Sequence, residues 1–121
     1  MFRYIFFMAK KLLIDTNTAL EFEKYKLFWS LEKLAITDAC LEELKNLSNK
    51  NKKAKIAYAI LKQKAEIIKT GEKIGDFSIL KAAKEKKYPI FTFDKRLIER
   101  LRKNNLPVIK DKKEVFEFLK S

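Results

Sequence analysis

Leu12-Leu13-Ile14-Asp15-Thr16-Asn17 is the stretch on which the reading of this chain turns. Three consecutive apolar residues suit a strand buried on both faces, as in a parallel sheet. The three residues that follow favour turns and helix N-caps. A short apolar run closed by such a cap predicts a strand that feeds a helix.

Outward from this point the same grammar recurs. Thr18 to Leu34 is amphipathic, with Leu20, Phe22, Leu27, Phe28, Leu31 and Leu34 apolar, and predicts one or two helices. Ala35-Ile36 predicts a second short strand, after which Thr37 or Asp38 caps a helix carrying Leu41, Leu44 and Leu47. Ser48 to Lys53 is a polar, basic loop, Ala54 to Glu66 a helix and Ile67-Ile68 a brief edge strand. Thr70-Gly71 and Gly75 break regularity before a helix opened by Asp76, with Ile79, Leu80, Ala82 and Ala83 inward. Ile90-Phe91-Thr92-Phe93 predicts a strand, and Asp94 caps a helix whose buried stripe is Leu97, Ile98 and Leu101. Pro107-Val108-Ile109 is a last strand, and Lys112 to Lys120 a last helix with Val115, Phe116 and Leu119 inward. Strands alternating with helices imply a mainly parallel sheet covered on both faces, within one domain spanning residues 1–121.

The acids fall at particular places in this pattern. Asp15 ends the first strand, Asp94 follows the Ile90–Phe93 strand, Asp76 opens a helix after a glycine, and Glu43 lies one turn into the helix after the second strand. Ligands of open parallel sheets bind in the crevice outside the carboxyl ends of the strands. Taken singly, Asp15, Asp38, Asp76 and Asp94 read as N-caps, worth about 1 kcal/mol each. Taken together, that reading weakens, because Ser or Thr would cap equally well.

Histidine is absent and Cys40 is the single cysteine. These facts exclude His-based triads, His-ligated or thiolate-ligated zinc, imidazole general bases and an internal disulfide. Clustered carboxylates that repel one another must take up a proton or bind a cation. An all-oxygen set selects a hard ion, Mg²⁺ or Mn²⁺, which can hold a phosphate oxygen and activate water. Lys and Arg number 28 against 16 Asp and Glu, a net charge of +12 that attracts polyanions, nucleic acid above all. The cations expected at phosphates are Lys50, Lys52, Lys53 and Lys55, with Lys95, Arg96, Arg100, Arg102 and Lys103. Each of these is, by itself, more simply a solvated surface residue.

Cys40, between Ala39 and Leu41, reads as a small buried residue of a reducing compartment, so a cytoplasmic protein is expected. The opening Met1 to Met8 is too short to cross a membrane and lacks a signal cleavage site. Residues 1–7 are either an extension of a chain that starts at Met8 or a real hydrophobic arm. With the Leu20–Leu34 segment, that arm could give a homodimer face. The aromatics Phe22, Phe28, Trp29, Phe91, Phe116 and Phe118 fall on apolar stripes and are expected in the core.

The ordered motifs resemble those of the PIN-domain nucleases. Leu12 to Asn17 is similar to that family's opening strand and Asp-Thr-Asn. Ile36-Thr37-Asp38-Ala39-Cys40-Leu41-Glu42-Glu43-Leu44 resembles its second motif, in a register that selects Glu43 over Glu42. Gly75-Asp76-Phe77-Ser78-Ile79 resembles the third, and Thr92-Phe93-Asp94-Lys95-Arg96 the fourth. The resemblance runs from Leu12 to Ile109. Its Ile-Thr-Asp and Leu106-Pro107-Val108-Ile109 stretches look closest to the rRNA-processing, small-subunit-biogenesis branch and its archaeal relatives, rather than to the VapC toxins.

The resemblance implies a three-layer α/β/α Rossmann-like fold and metal-dependent cleavage of RNA, with rRNA or its precursor as partner. Asp15, Glu43, Asp76 and Asp94 would be the catalytic, metal-site acids, supported by Asn17 and Thr92. Two residues depart from the pattern. Phe77 replaces the second Asp common beside the third acid, and Phe93 replaces an Asn, Ser or charged residue. Phe77 leaves the pocket one negative charge short and a second metal less well held. Two other readings stay open: a VapC-like toxin with an antitoxin partner, and a catalytically weak RNA-binding or ribosome-assembly module. A phospho-receiver domain would want adjacent acids after the first strand, where Ile14 and Thr16 stand. A flap-nuclease relative would need a helical arch for which the chain has no room.

Overall fold

The computed structural model describes residues 11–25 and 27–120. The apolar start at 1–7, and the side chains of Phe28 and Trp29, lie outside the described residues. Leu12–Ile14 forms β1 and is buried along its whole length, as a central strand covered on both faces must be. Its neighbours are β2 (Leu34–Thr37) on one side and β4 (Ile90–Phe91) on the other, with Leu13 opposite Ala35 and Ile90. β3 (Glu66–Ile68) pairs with β2, and β5 (Val108–Ile109) with β4. Every pairing is parallel, in the order β3-β2-β1-β4-β5.

The chain leaves β1 in one direction along the sheet to reach β3, then crosses back and proceeds from β4 to β5. Right-handed crossovers in opposite directions place helices on both faces, giving the three-layer α/β/α architecture expected from the sequence. The direction reverses between β1 and β4, so the crevice for a ligand lies at the carboxyl ends of those two strands.

Among the described residues six α-helices fill the outer layers: α1 (Thr16–Leu20), α2 (Asp38–Leu47), α3 (Lys52–Lys64), α4 (Gly75–Lys86), α5 (Lys95–Lys103) and α6 (Lys112–Lys120). None among the described residues is long and apolar enough to cross a membrane. α3 starts two residues earlier than its apolar pattern indicates, because Asn51 accepts from the Ala54 amide and caps it. The segment after α1 does not continue as a helix. Phe22, Tyr25 and Leu27 all point into the core at spacings of three and two, which no single helical face accommodates. The chain instead makes 3-10 turns over Leu27–Lys33, broken at Ser30 (φ −145°, ψ 54°). Lys33 Nζ donates to the Leu119 carbonyl at 2.9 Å and ties this segment to α6.

Smaller differences have similar causes. In α2 the inward residues are Ala39, Cys40 and Leu44, so Leu47 stands exposed. In α6 Phe118 is buried with Val115 and Leu119, while Phe116 is only half-buried. The strand expected at Ile90–Phe93 stops at Phe91, because the Thr92 side chain turns to the acids described next.

Candidate functional site

Asp15 leaves the end of β1 and is almost fully buried, with 7% of its surface exposed. Its Oδ1 accepts from the Thr18 amide at 2.8 Å and so caps α1. Its Oδ2 accepts from the Thr92 hydroxyl at 2.6 Å. Thr92 sits just past β4, on the far side of the switch point, and its oxygen also accepts the Asp94 amide at 3.1 Å. One hydroxyl thus joins two of the acids across the crevice. Asp94 caps α5, its Oδ1 accepting from Arg96 and Leu97 amides at 3.0 and 3.2 Å. Its Oδ2 makes no hydrogen bond among the described residues and points to no structural duty.

Asp76 is not a cap. α4 starts from Ile74 without any side-chain cap bond, and Asp76 lies in the first turn. Burial pushes its carboxyl up from the usual range, and the charges of Asp94 and Asp15 push it further, against the opposing pull of Arg100. Glu43 stays exposed at the surface, yet partial desolvation raises its carboxyl too, opposed by the nearby Thr16 hydroxyl and helped by the charges of Asp76 and Asp15. The four acids therefore form one connected set. Asp76 is its hub, sensing Asp15 and Asp94 and itself felt by Glu43.

Gly75 is what lets α2 and α4 meet there. A Cβ on Gly75 would run into Glu43 Oε1, with Cys40 Sγ next to it at 3.5 Å. The Gly75 amide lies near Glu43 and favours its charged form. The start of α4 is fixed to the end of β2 by the Thr37–Ser78 hydroxyl pair at 2.7 Å, and Ser78 donates on to the Gly75 carbonyl at 2.7 Å. Among the described residues no buried side-chain polar atom lacks a partner.

The site residues expected from sequence separate into three groups. Asp15, Glu43, Asp76 and Asp94 come together at the rim where the strand order reverses. Thr92 joins Asp15 to Asp94. Asn17 is exposed on α1, and among the described residues it bonds to none of the four acids. Asp38, the fourth possible cap, has a different duty. It binds the Thr70 hydroxyl (2.6 Å), the Thr70 and Gly71 amides (both 3.0 Å) and its neighbour's amide, and so anchors the loop before α4. Gly71 can take the positive φ of 78° that this loop needs.

The basic candidates Lys50, Lys52, Lys53, Lys95 and Arg96 are all exposed, as are Lys55, Arg100, Arg102 and Lys103. Lys95 and Arg96 open α5 directly after Asp94, and Arg100 reaches back toward Asp76. Among the described residues no three acidic or thiol side chains converge closely enough to enclose a metal ion by themselves.

The sequence matches the family described as PIN like domain over residues 9–113. The chain belongs to the PIN-like domain family. Its fold is similar to that of the PIN domain endonuclease Utp24, with a TM-score of 0.66 and 25% identity. That match covers 84% of this chain and 86% of the other. No curated protein matches the sequence.

Within this PIN-like domain several residues that the motifs contain, but to which sequence assigned no role at the acids, prove to position them. Thr16, whose hydroxyl donates to the Cys40 carbonyl at 3.5 Å, also favours the charged form of Glu43, Gly75 clears space for Glu43, and Thr37 with Ser78 sets where α4 begins. Thr16 adjoins Asp15 and Gly75 adjoins Asp76, so both stood beside an acid, but their partners lie far off in sequence.

Proposed function

We propose that this PIN-like domain is a divalent-metal-dependent endoribonuclease whose site is Asp15, Glu43, Asp76 and Asp94. The observation that carries the proposal is four carboxylates, linked by the repulsion that Asp76 and Glu43 feel from the others, at the sheet's switch point in a chain of net charge +12. Such a set demands positive charge, and Arg100 opposes the rise of Asp76.

The donor chemistry fits Mg²⁺ or Mn²⁺. Each carboxylate oxygen has two lone pairs, so both Asp15 oxygens keep one after their hydrogen bonds, and Asp94 Oδ2 keeps both. Carboxylates that do not enclose an ion suit Mg²⁺ in particular, which keeps several waters and takes one or two protein ligands plus substrate phosphate. When bound, such an ion supplies the positive charge that a phosphodiester can approach and that makes water a competent nucleophile.

The protein's own part is positioning. Thr92 and the α1 amide hold Asp15 in one orientation, and the α5 amides hold Asp94. Glu43 and Asp76, raised by desolvation and by neighbouring charge, are placed to accept a proton from water at the rim. Lys95, Arg96 and Arg100 hold the RNA backbone along α5, and Lys50, Lys52 and Lys53 extend the contact near the start of α3. The Ile-Thr-Asp and Leu-Pro-Val-Ile stretches support rRNA or its precursor as substrate, in a cytoplasmic setting.

The test is cleavage of single-stranded and structured RNA with Mn²⁺ by wild type, Asp15→Asn and Asp94→Asn. Loss of cleavage on the order of a thousandfold in each variant is the expected result. Equal activity in all three proteins, or none in wild type under conditions where it binds RNA, would reject the enzyme and leave a binding module.

A further inference from the structure

The two residues that depart from the family's motifs share an unusual position. Five large apolar side chains are exposed among the described residues, and three of them, Ile74, Phe77 and Phe93, lie within two residues of Asp76 or Asp94. Phe77 follows Asp76 directly and Phe93 precedes Asp94 directly, each with 47% of its surface in water. Scattered exposed hydrophobics are ordinary. Concentration at the rim of a charged site is not, because water there solvates the acids and gains nothing from a phenyl ring.

Phe93 is braced from behind. Its ring lies 5.4 Å from that of the buried Tyr25 at an interplanar angle of 31°, and 5.1 Å from Phe91, edge-on at 70°. Tyr25 and Phe91 themselves meet at 5.0 Å and 86°. One side of Phe93 is therefore packed, and the rest of the ring is presented to solvent in a fixed orientation. Phe77 is paired with a cation: the Arg100 guanidinium lies 5.5 Å from its ring centre.

We infer that Phe93 and Phe77 are stacking platforms for unpaired bases of a single-stranded RNA threaded past the four acids. This rests on the endoribonuclease reading for where the phosphate lies. Every base has a π-face, so stacking on a ring is sequence-tolerant, and the neighbouring phosphates need cations. Lys95, Arg96 and Arg100 supply these on the helix that begins beside Phe93. A duplex cannot use the rings, since its bases already stack on one another. A platform braced by Tyr25 and Phe91 has lost its rotational freedom in advance, so less is lost on binding. The substitution of Phe for polar residues at both positions thus selects for single strands at the cost of a charge in the pocket.

The test uses the full chain and short single-stranded RNAs carrying 2-aminopurine at successive positions, whose fluorescence falls on stacking. Binding is measured in EDTA and again with Mn²⁺, for wild type, Phe93→Leu, Phe93→Trp and Phe77→Leu. Leucine keeps the packing on Tyr25 and Phe91 but has no π-face. Expected are quenching at defined positions in wild type, its loss in each Leu variant at a different position, and its return in Phe93→Trp. Single-stranded affinity should fall roughly 5- to 100-fold in the Leu variants, with duplex affinity unchanged.

The stacking role is overturned if wild type binds and cuts RNA while the Leu variants match it in quenching and affinity. It is overturned as well if single-stranded and duplex binding fall together. A change of oligomeric state in Phe93→Leu with RNA binding intact would assign the ring to a protein contact instead. If wild type neither binds nor cuts RNA, the endoribonuclease reading falls first and takes this one with it.

Discussion

Thr92 does more for the rim than any acid does alone. Its hydroxyl donates to Asp15 and accepts from the Asp94 amide, so one small side chain sets the spacing between the ends of β1 and β4. Thr92→Val keeps the shape and removes both bonds. Cleavage should fall about 10- to 100-fold, as when a group that orients a metal ligand is lost. A buried acceptor left unsatisfied should also lower stability by about 1–3 kcal/mol in denaturant melts. Wild-type kinetics in the variant would mean that Asp15 needs no such support. Asp38 is the opposite kind of acid. Burial alone would raise its carboxyl, but bonds from the Thr70 hydroxyl and the Gly71, Thr70 and Ala39 amides outweigh it and hold the group below its usual 3.8. A folded value below the unfolded one stabilises above pH 3.8 and is lost as pH falls through the folded value. Asp38→Asn should therefore melt lower than wild type at pH 7, by about 1 kcal/mol once solvent screening is allowed for, and the two curves should merge in acid. At this scale the sequence was legible in placing Asp15 and Asp94 just past strand ends, where the fold links them through Thr92. It was silent on Thr16 and on the separate duty of Asp38, because their partners meet them only in space.

Among the elements, the start of α4 is the most constrained. It has no capping side chain, and its first residue must be small because Glu43 of α2 occupies the space where a Cβ would stand. Gly75→Ala should displace Glu43, reduce cleavage and lower the melting temperature. In a Glu43→Ala background the same substitution should cost less, and that coupling, expected at roughly 0.5–3 kcal/mol, is what a double-mutant cycle reads. Additive effects would place Glu43 away from Gly75 in solution. The succession of strands and helices along the chain was readable because apolar runs and 3.6-residue stripes are local. Ends were less so: β4 stops at Phe91 because Thr92 is drawn to Asp15, a contact 77 residues away in sequence. The segment after α1 was read only as part of one or two helices, and its 3-10 turns over Leu27–Lys33 were not foreseen, since amphipathic content alone does not reveal that Phe22, Tyr25 and Leu27 must all face inward.

For the whole molecule, the governing property is an anionic rim set in a cationic body. Charge of +12 with exposed Lys95 and Arg96 at the mouth should make RNA binding fall steeply with salt, and Lys95→Ala or Arg96→Ala should each reduce the log–log slope by about 1. A flat response would remove both residues from the backbone path. Composition pointed to a polyanion as partner, and the lack of histidine and of a second cysteine limited the candidate ligands to oxygen. Neither could show that the acids stop short of enclosing an ion, which depends on side-chain direction at the rim. The central claim is that Asp15, Glu43, Asp76 and Asp94 act as one site for a divalent ion. Calorimetric titration of Mn²⁺ into wild type and into Asp15→Asn, Glu43→Gln, Asp76→Asn and Asp94→Asn tests it most directly. Binding by wild type that weakens about 10-fold or more in each of the four variants is the expected result; no binding to wild type, or binding that all four variants retain, would contradict it.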